Sequence, residues 1–143
     1  MISIRRAAIT DEATVYHFVC ALEEKTLDAD RFRDVYRQNV MHTDCYYLLA
    51  EEEGQPVGFV SLHTQLLLHH GGRTGEVQEL FVEEGVRGRG IGQRLLTEVE
   101  ALGNTLGLIE IEVTTNRRRT NTHQFYQRAG YTYSHLKFTK PLP

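Results

Sequence analysis

The segment Val86-Arg87-Gly88-Arg89-Gly90-Ile91-Gly92 sets glycines and arginines directly ahead of an apolar run with helical periodicity. Glycine lets a backbone approach a ligand closely and adopt positive φ angles. The first amides of a helix have no internal acceptor, so they point outward and, with the helix dipole, attract an anion. Arg87 and Arg89 add charge and paired donors. Such a turn suits a pyrophosphate. It is not a dinucleotide fingerprint, because Gln93 stands where the third glycine belongs, and no Gly-Lys-Ser/Thr closes it as a P-loop. Upstream, Glu79 sits at the centre of a strand-like stretch that runs into the turn. A carboxylate there can take a proton from a nucleophile. Glu76 and Glu112 are the other candidates for that task.

Arg87, Gly90 and Gly92 fit the spacing Arg/Gln-x-x-Gly-x-Gly. The stretch ELFVEEGVRGRGIGQRLL around them resembles the acetyl-CoA pyrophosphate loop of the GNAT family of N-acetyltransferases. A second stretch, Phe125-Tyr126 followed by Ala129-Gly130-Tyr131, is similar to the family's later helix motif. Thr122 and Arg119 stand where that motif often has alanine and asparagine, so Asn116 and Asn121 become the candidate contacts to the pantetheine arm. The resemblance implies a fold of the α/β (α+β) type. Its sheet is mixed, mostly antiparallel, six- to seven-stranded, flanked by about four helices and splayed between strands 4 and 5. It implies acetyl-CoA bound by Arg87, Gly88, Arg89, Gly90, Ile91, Gly92 and Gln93. Backbone amides at Leu80, Phe81 and Val82 would polarise the acetyl carbonyl. Glu79 would be the base, and Tyr126 would stand near the thioester sulfur. The run Arg117–Arg119 either meets CoA phosphates or is a solvated loop.

The segments LHTQLLLHH (62–70), GEVQEL (75–80) and SHLKFTK (134–140) narrow the resemblance to bacterial aminoalkylphosphonate N-acetyltransferases. That resemblance implies a small amine such as aminoethylphosphonate as acceptor, a divalent metal ion and a homodimer. A phosphonate needs cationic or strong hydrogen-bond partners. His63, His70 and His135 are the candidate acceptor contacts, with His69, Arg73 and Lys137 nearby in sequence. A histidine cluster serves a metal equally well. Two other readings stay open. One is an acetyltransferase for an aminoglycoside, a polyamine or a protein N-terminus. The other is an acyl-CoA-binding sensor without turnover.

These residues need a scaffold, and periodicity supplies one. Residues 2–9 read as a strand, and Thr10 offers an N-cap to a helix carrying Val15, Phe18, Val19 and Leu22 on one face. A second helix starts near Asp30. Residues 45–52 and 57–70 read as strands about a turn at Gly54-Gln55, and Gly71-Gly72 break the second. A further strand covers 75–83. Ile91, Leu95, Leu96, Val99, Leu102 and Leu106 then mark a helix that stops at Gly107. Residues 108–113 alternate as a strand, a short helix spans Thr120–Ala129, and residues 131–139 read as a last strand.

The 143 residues fit one acetyltransferase domain, 1–143, and 41% hydrophobic against 24% charged residues is an ordinary globular balance. A net charge of −3 argues against general nucleic-acid binding. Cys20 and Cys45 are too far apart for a zinc or redox motif. The N-terminus lacks the pattern of a signal peptide, and no stretch has the length and apolarity of a membrane span. A cytoplasmic enzyme with no nucleic-acid or membrane partner is the expectation.

Overall fold

The computed structural model describes residues 1–143, and they form two compact units, Met1–Glu112 and Val113–Pro143. The first begins with β1 (Ile2–Arg6), a 3-10 turn (Ile9–Asp11) and helix α1 (Glu12–Glu23). The N-cap is Asp11 rather than Thr10. Its carboxylate accepts from the Ala8 amide at 2.7 Å and from both Arg5 guanidinium nitrogens at 2.9 Å. That pairing holds the Asp11 carboxyl below its ordinary range. Helix α1 buries Val15, Phe18 and Val19 and ends at Glu24 in a left-handed conformation. The following loop is pinned where the Tyr16 hydroxyl donates to Leu27 O. Helix α2 (Ala29–Val40) starts at Asp28, whose carboxylate accepts from the Arg31 amide at 3.0 Å.

Strands β2 (Cys45–Glu52), β3 (Gln55–Leu67) and β4 (Gly72–Val82) are antiparallel neighbours, with β1 on the outer side of β2. Helix α3 (Ile91–Leu106) follows, then β5 (Ile111–Val113) beside β4. Ile109 N donates to Arg73 O, and Gly75 N donates to Glu110 O. Both segments advance in the same direction, so this pair is parallel and the sheet is mixed. The order is β1-β2-β3-β4-β5.

Opposite faces of the sheet have different roles. On one, α3 buries Ile91, Leu95, Leu96 and Val99. A Cβ at Gly58 would lie 3.1 Å from Phe81 O and 3.2 Å from Leu95 Cδ1, so a side chain there would crowd both β4 and α3. On the other, Phe18 of α1 meets Phe81 with ring centroids 5.3 Å apart, and Tyr36, Tyr47 and Phe59 extend the aromatic packing at 5.6 Å steps. In the second unit, α4 (Thr120–Arg128) buries Tyr126.

The sheet has five strands, not six or seven. Residues 131–139 form no strand. Their alternation is real, but a strand exists only where another edge completes its ladder, and Tyr133, Leu136 and Phe138 are instead exposed. Boundaries shift for local reasons as well. Residues Leu68–His70 leave β3 as a 3-10 turn, and Gly71 reverses the chain at φ 63°, which lets β4 begin at Gly72. No helix is long and apolar enough to cross a membrane.

Candidate functional site

The register of β3 and β4 slips between Ser61 and Leu62. Glu79 stands opposite Ser61, while Leu62 already pairs with Val77. The extra residue bends β4 and re-aims its side chains. The Glu79 amide donates to Ser61 Oγ at 3.0 Å, and Ser61 Oγ donates back to Glu79 Oε1. Ser61 is fully buried, so the half-buried Glu79 carboxylate is tethered from beneath.

Glu79 lines a cavity of about 610 Å³ between the sheet and helices α1 and α2. Its walls include Val19, Leu27, Phe32, Tyr36 and Phe59, and its polar groups include Asp28, Arg31, Asn39, His63 and Gln78. The Tyr47 hydroxyl accepts from Asn39 Nδ2 at 2.9 Å. Burial pushes the Tyr47 phenol up to about 12, with the Asn39 bond opposing and the Glu79 charge adding to the rise. His63 Nδ1 lies 3.5 Å from Cys45 Sγ. Burial, aided by the Asp44 charge, raises the Cys45 thiol, so it stays protonated and unreactive.

Past the bulge, the strand alternation decides which amides are free. Glu83 N donates to Val57 O, and Phe81 faces Phe59 in register. Phe81 and Glu83 therefore direct their main-chain groups to β3, whereas those of Leu80 and Val82 point the other way. Val82 O accepts from Arg87 Nε at 2.8 Å on that side. Of the three residues expected to polarise a carbonyl, Leu80 and Val82 have amides turned away from the ladder. The Phe81 amide is used within it, and its ring is core.

The glycine-rich turn follows. Gly88 and Gly90 have φ of 81° and 79°, and Gly90 is the N-cap of α3. Nothing lies within 4 Å of a Cβ built at either position, so their glycines answer to backbone conformation and not to crowding. The amides of Ile91, Gly92 and Gln93 occupy the first turn of α3, where no intrahelical acceptor exists. Arg87 lies over the Phe81 ring at 5.5 Å. Arg89 makes a two-pronged pair with Glu52 and holds that carboxyl below its ordinary range.

The remaining candidates are dispersed. His63 lines the cavity, while His70 and Glu76 do not. His70 Nε2 is 3.8 Å from Glu112 Oε1, and the ligand atoms of His70, Glu110 and Glu112 all lie within 4.8 Å of one another. One imidazole and two carboxylates suit a divalent transition ion. Glu112 thus belongs to a cluster outside the cavity lining. In the second unit, Asn116 Oδ1 accepts from the Arg118 amide at 2.9 Å, Asn121 is exposed on α4, and His135 pairs with Ser134 Oγ at 2.6 Å. Tyr126 is buried between its neighbours Phe125 and Tyr131. That burial pushes its phenol up to about 12, partly opposed by Arg119. Sequence reasoning missed Ser61, Arg31 and Tyr47. Only the strand register and the helix packing bring them to Glu79.

Residues 8–131 match the acetyltransferase (GNAT) family. The chain is 40% identical over 139 residues to an aminoalkylphosphonate N-acetyltransferase of Salmonella typhimurium, covering 97% of this chain and 90% of that one. Its fold is similar to a crystal structure described as a transcriptional regulator from Bacillus halodurans, with a TM-score of 0.90, 17% identity, and 99% and 100% of the two chains covered. It is also similar to an aminoglycoside N-acetyltransferase solved in complex with CoA, with a TM-score of 0.88, 17% identity, and 99% and 95% covered. The chain belongs to the acetyltransferase (GNAT) family, whose members use acetyl-CoA, and it is an N-acetyltransferase.

Proposed function

We propose that the protein acetylates an aminoalkylphosphonate by direct attack of its amine on the acetyl-CoA thioester. The observation that carries this reading is the Glu79 carboxylate, tethered by Ser61 and exposed to a cavity that also contains Arg31 and His63. The 40% identity to an enzyme of that name supports the acceptor class. The family match running from 8 to 131 supports both units acting as one acetyltransferase domain.

An alkylammonium titrates near ~10.4, so freeing its lone pair at pH 7 costs about 4–5 kcal/mol. Glu79 takes that proton. The nitrogen then forms a bond to the carbonyl carbon, and the developing oxyanion is met by the outward amides of Leu80 and Val82. As the C–S bond breaks, the electron pair stays on sulfur. Tyr126, kept protonated by burial, donates a hydrogen bond to the departing thiolate. The pyrophosphate rests on the first-turn amides of Ile91, Gly92 and Gln93 beside Arg87, with Gly88 and Gly90 shaping the turn. Arg89 contributes only by exchanging Glu52 for a phosphate. Asn116 and Asn121 are the pantetheine candidates of the second unit. Arg31 and His63 bind the phosphonate.

The divalent ion implied by the resemblance to aminoalkylphosphonate N-acetyltransferases fits His70, Glu110 and Glu112. Bound there, it would lie outside the lining of the cavity proposed for the acceptor and would join the start of β5 to the turn after β3. The exposed Leu136 and Phe138 support a homodimer, which light scattering would test.

The deciding experiment measures thiol release from acetyl-CoA with 2-aminoethylphosphonate, a polyamine and an aminoglycoside, each with and without added Mn²⁺. Turnover specific to the phosphonate is expected. Turnover confined to another amine overturns the acceptor and leaves the family chemistry standing.

A further inference from the structure

We propose that the preferred acceptor is an aminophosphonate bearing a bulky apolar substituent, such as an isobutyl or benzyl group on the carbon next to the amine. The inference rests on the phosphonate reading above and narrows it. Its basis is the mismatch between the cavity and a minimal aminophosphonate. A space of about 610 Å³ falls within the range that encloses a drug-sized ligand. A two-carbon aminophosphonate would leave most of it to water lying against Val19, Leu27, Phe32 and Phe59, which is unfavourable.

The cavity does not owe its size to the donor's loop. No residue of 80–93 lines it, and its walls come from α1, the loop after it, α2, β2, β3 and β4. Charge is arranged in two places. Glu79 stands on the β4 wall, and Asp28 and Arg31 stand at the first turn of α2. The Asp28 carboxylate caps the helix, whereas Arg31 forms no salt bridge and is available to an anion. Val19, Leu27, Phe32 and Phe59 line the same cavity and give it apolar walls. Val35, on the same helix, lines the cavity yet is 56% exposed. A bulky apolar group bound there removes both that surface and the lining from water. The acceptor that satisfies all three features has an amine for Glu79, an anion for Arg31 and an apolar body.

The test is a series of 1-aminoalkylphosphonates with hydrogen, methyl, isobutyl and benzyl substituents, with 2-aminoethylphosphonate alongside. Thiol release gives kcat/KM for each. An apolar pocket discriminates roughly tenfold or more for a well-packed group, so the benzyl compound should exceed aminomethylphosphonate by at least about tenfold. Val35→Trp, at an exposed helix position that tolerates change, should reduce that ratio several-fold by narrowing the cavity. A flat or falling series, with the small compounds still acetylated, overturns this inference and leaves the phosphonate reading intact. A ratio unmoved by Val35→Trp overturns it too. No turnover with any phosphonate overturns both.

Discussion

Ser61 and Glu79 hold one another across the β3–β4 register slip, the serine hydroxyl accepting from the Glu79 amide and donating to the Glu79 carboxylate. A bulge of this kind leaves a residue without a ladder partner. Here that residue is Gln78, and beside it the buried Ser61 hydroxyl accepts from the Glu79 amide. It also fixes one oxygen of the Glu79 carboxylate. The same bulge, through alternation, turns the Leu80 and Val82 amides away from β3.

Ser61→Ala should therefore do two separable things. It leaves the Glu79 amide without its acceptor, at a cost of about 1–3 kcal/mol in unfolding free energy. It also frees the carboxylate, lowering kcat by roughly tenfold through lost orientation. Affinity for acetyl-CoA, measured by calorimetry on folded protein, should stay within about twofold. A matching loss of donor affinity would show that Ser61 supports the strand and not the base.

Glu79→Gln keeps shape and can still accept from Ser61, so it isolates the proton transfer. General-base assistance contributes roughly 10²–10⁴-fold, and kcat/KM for the amine should fall by that order with acetyl-CoA affinity nearly unchanged. Equal losses in both would remove Glu79 from the role.

Spacing alone made part of this site legible. Arg87, Gly90 and Gly92 are contiguous, and the α3 stripe behind them is strongly periodic, so loop and helix are read without tertiary knowledge. The cavity was not legible, because Val19, Arg31, Tyr47, Phe59 and Glu79 come from five elements and meet only through strand register and helix placement. Arg89 illustrates the same limit: its partner Glu52 is 37 residues away. The tail 131–139 failed in the opposite sense, since alternation names a strand without naming the edge that completes it.

Tyr126 gives a prediction about pH. Its phenol is raised to about 12 by burial, so the neutral, hydrogen-bond-donating form persists through pH 10, where an ordinary tyrosine is half ionised. Activity should show no loss from this group below about pH 11. Tyr126→Phe should lower kcat by roughly tenfold, uniformly between pH 6 and 9, since the donor is intact throughout that window in the parent. A decline in the parent near pH 10 that Tyr126→Phe abolishes would contradict the burial argument.

The His70, Glu110 and Glu112 cluster can be tested without turnover. Calorimetric titration of chelator-treated protein with Mn²⁺ should give one site, lost in His70→Ala and weakened in Glu112→Gln, because both ligand types must lose a proton or yield charge to a cation. An isotherm unaltered by either substitution would place any ion elsewhere.

Gly90 separates conformation from charge in the donor loop. At φ 79° a side chain is strained by roughly 1–2 kcal/mol, and no atom lies near enough for a steric clash. Gly90→Ala should relax the turn and misdirect the first-turn amides of α3, raising the dissociation constant for acetyl-CoA by about tenfold. Arg89→Ala should have a smaller effect, since that guanidinium is engaged by Glu52 in the free protein and its surface pair is worth about 0–1 kcal/mol. If Arg89→Ala weakens acetyl-CoA more than Gly90→Ala does, charge and not amide geometry holds the pyrophosphate. The Arg89–Glu52 pair would then have to open on binding.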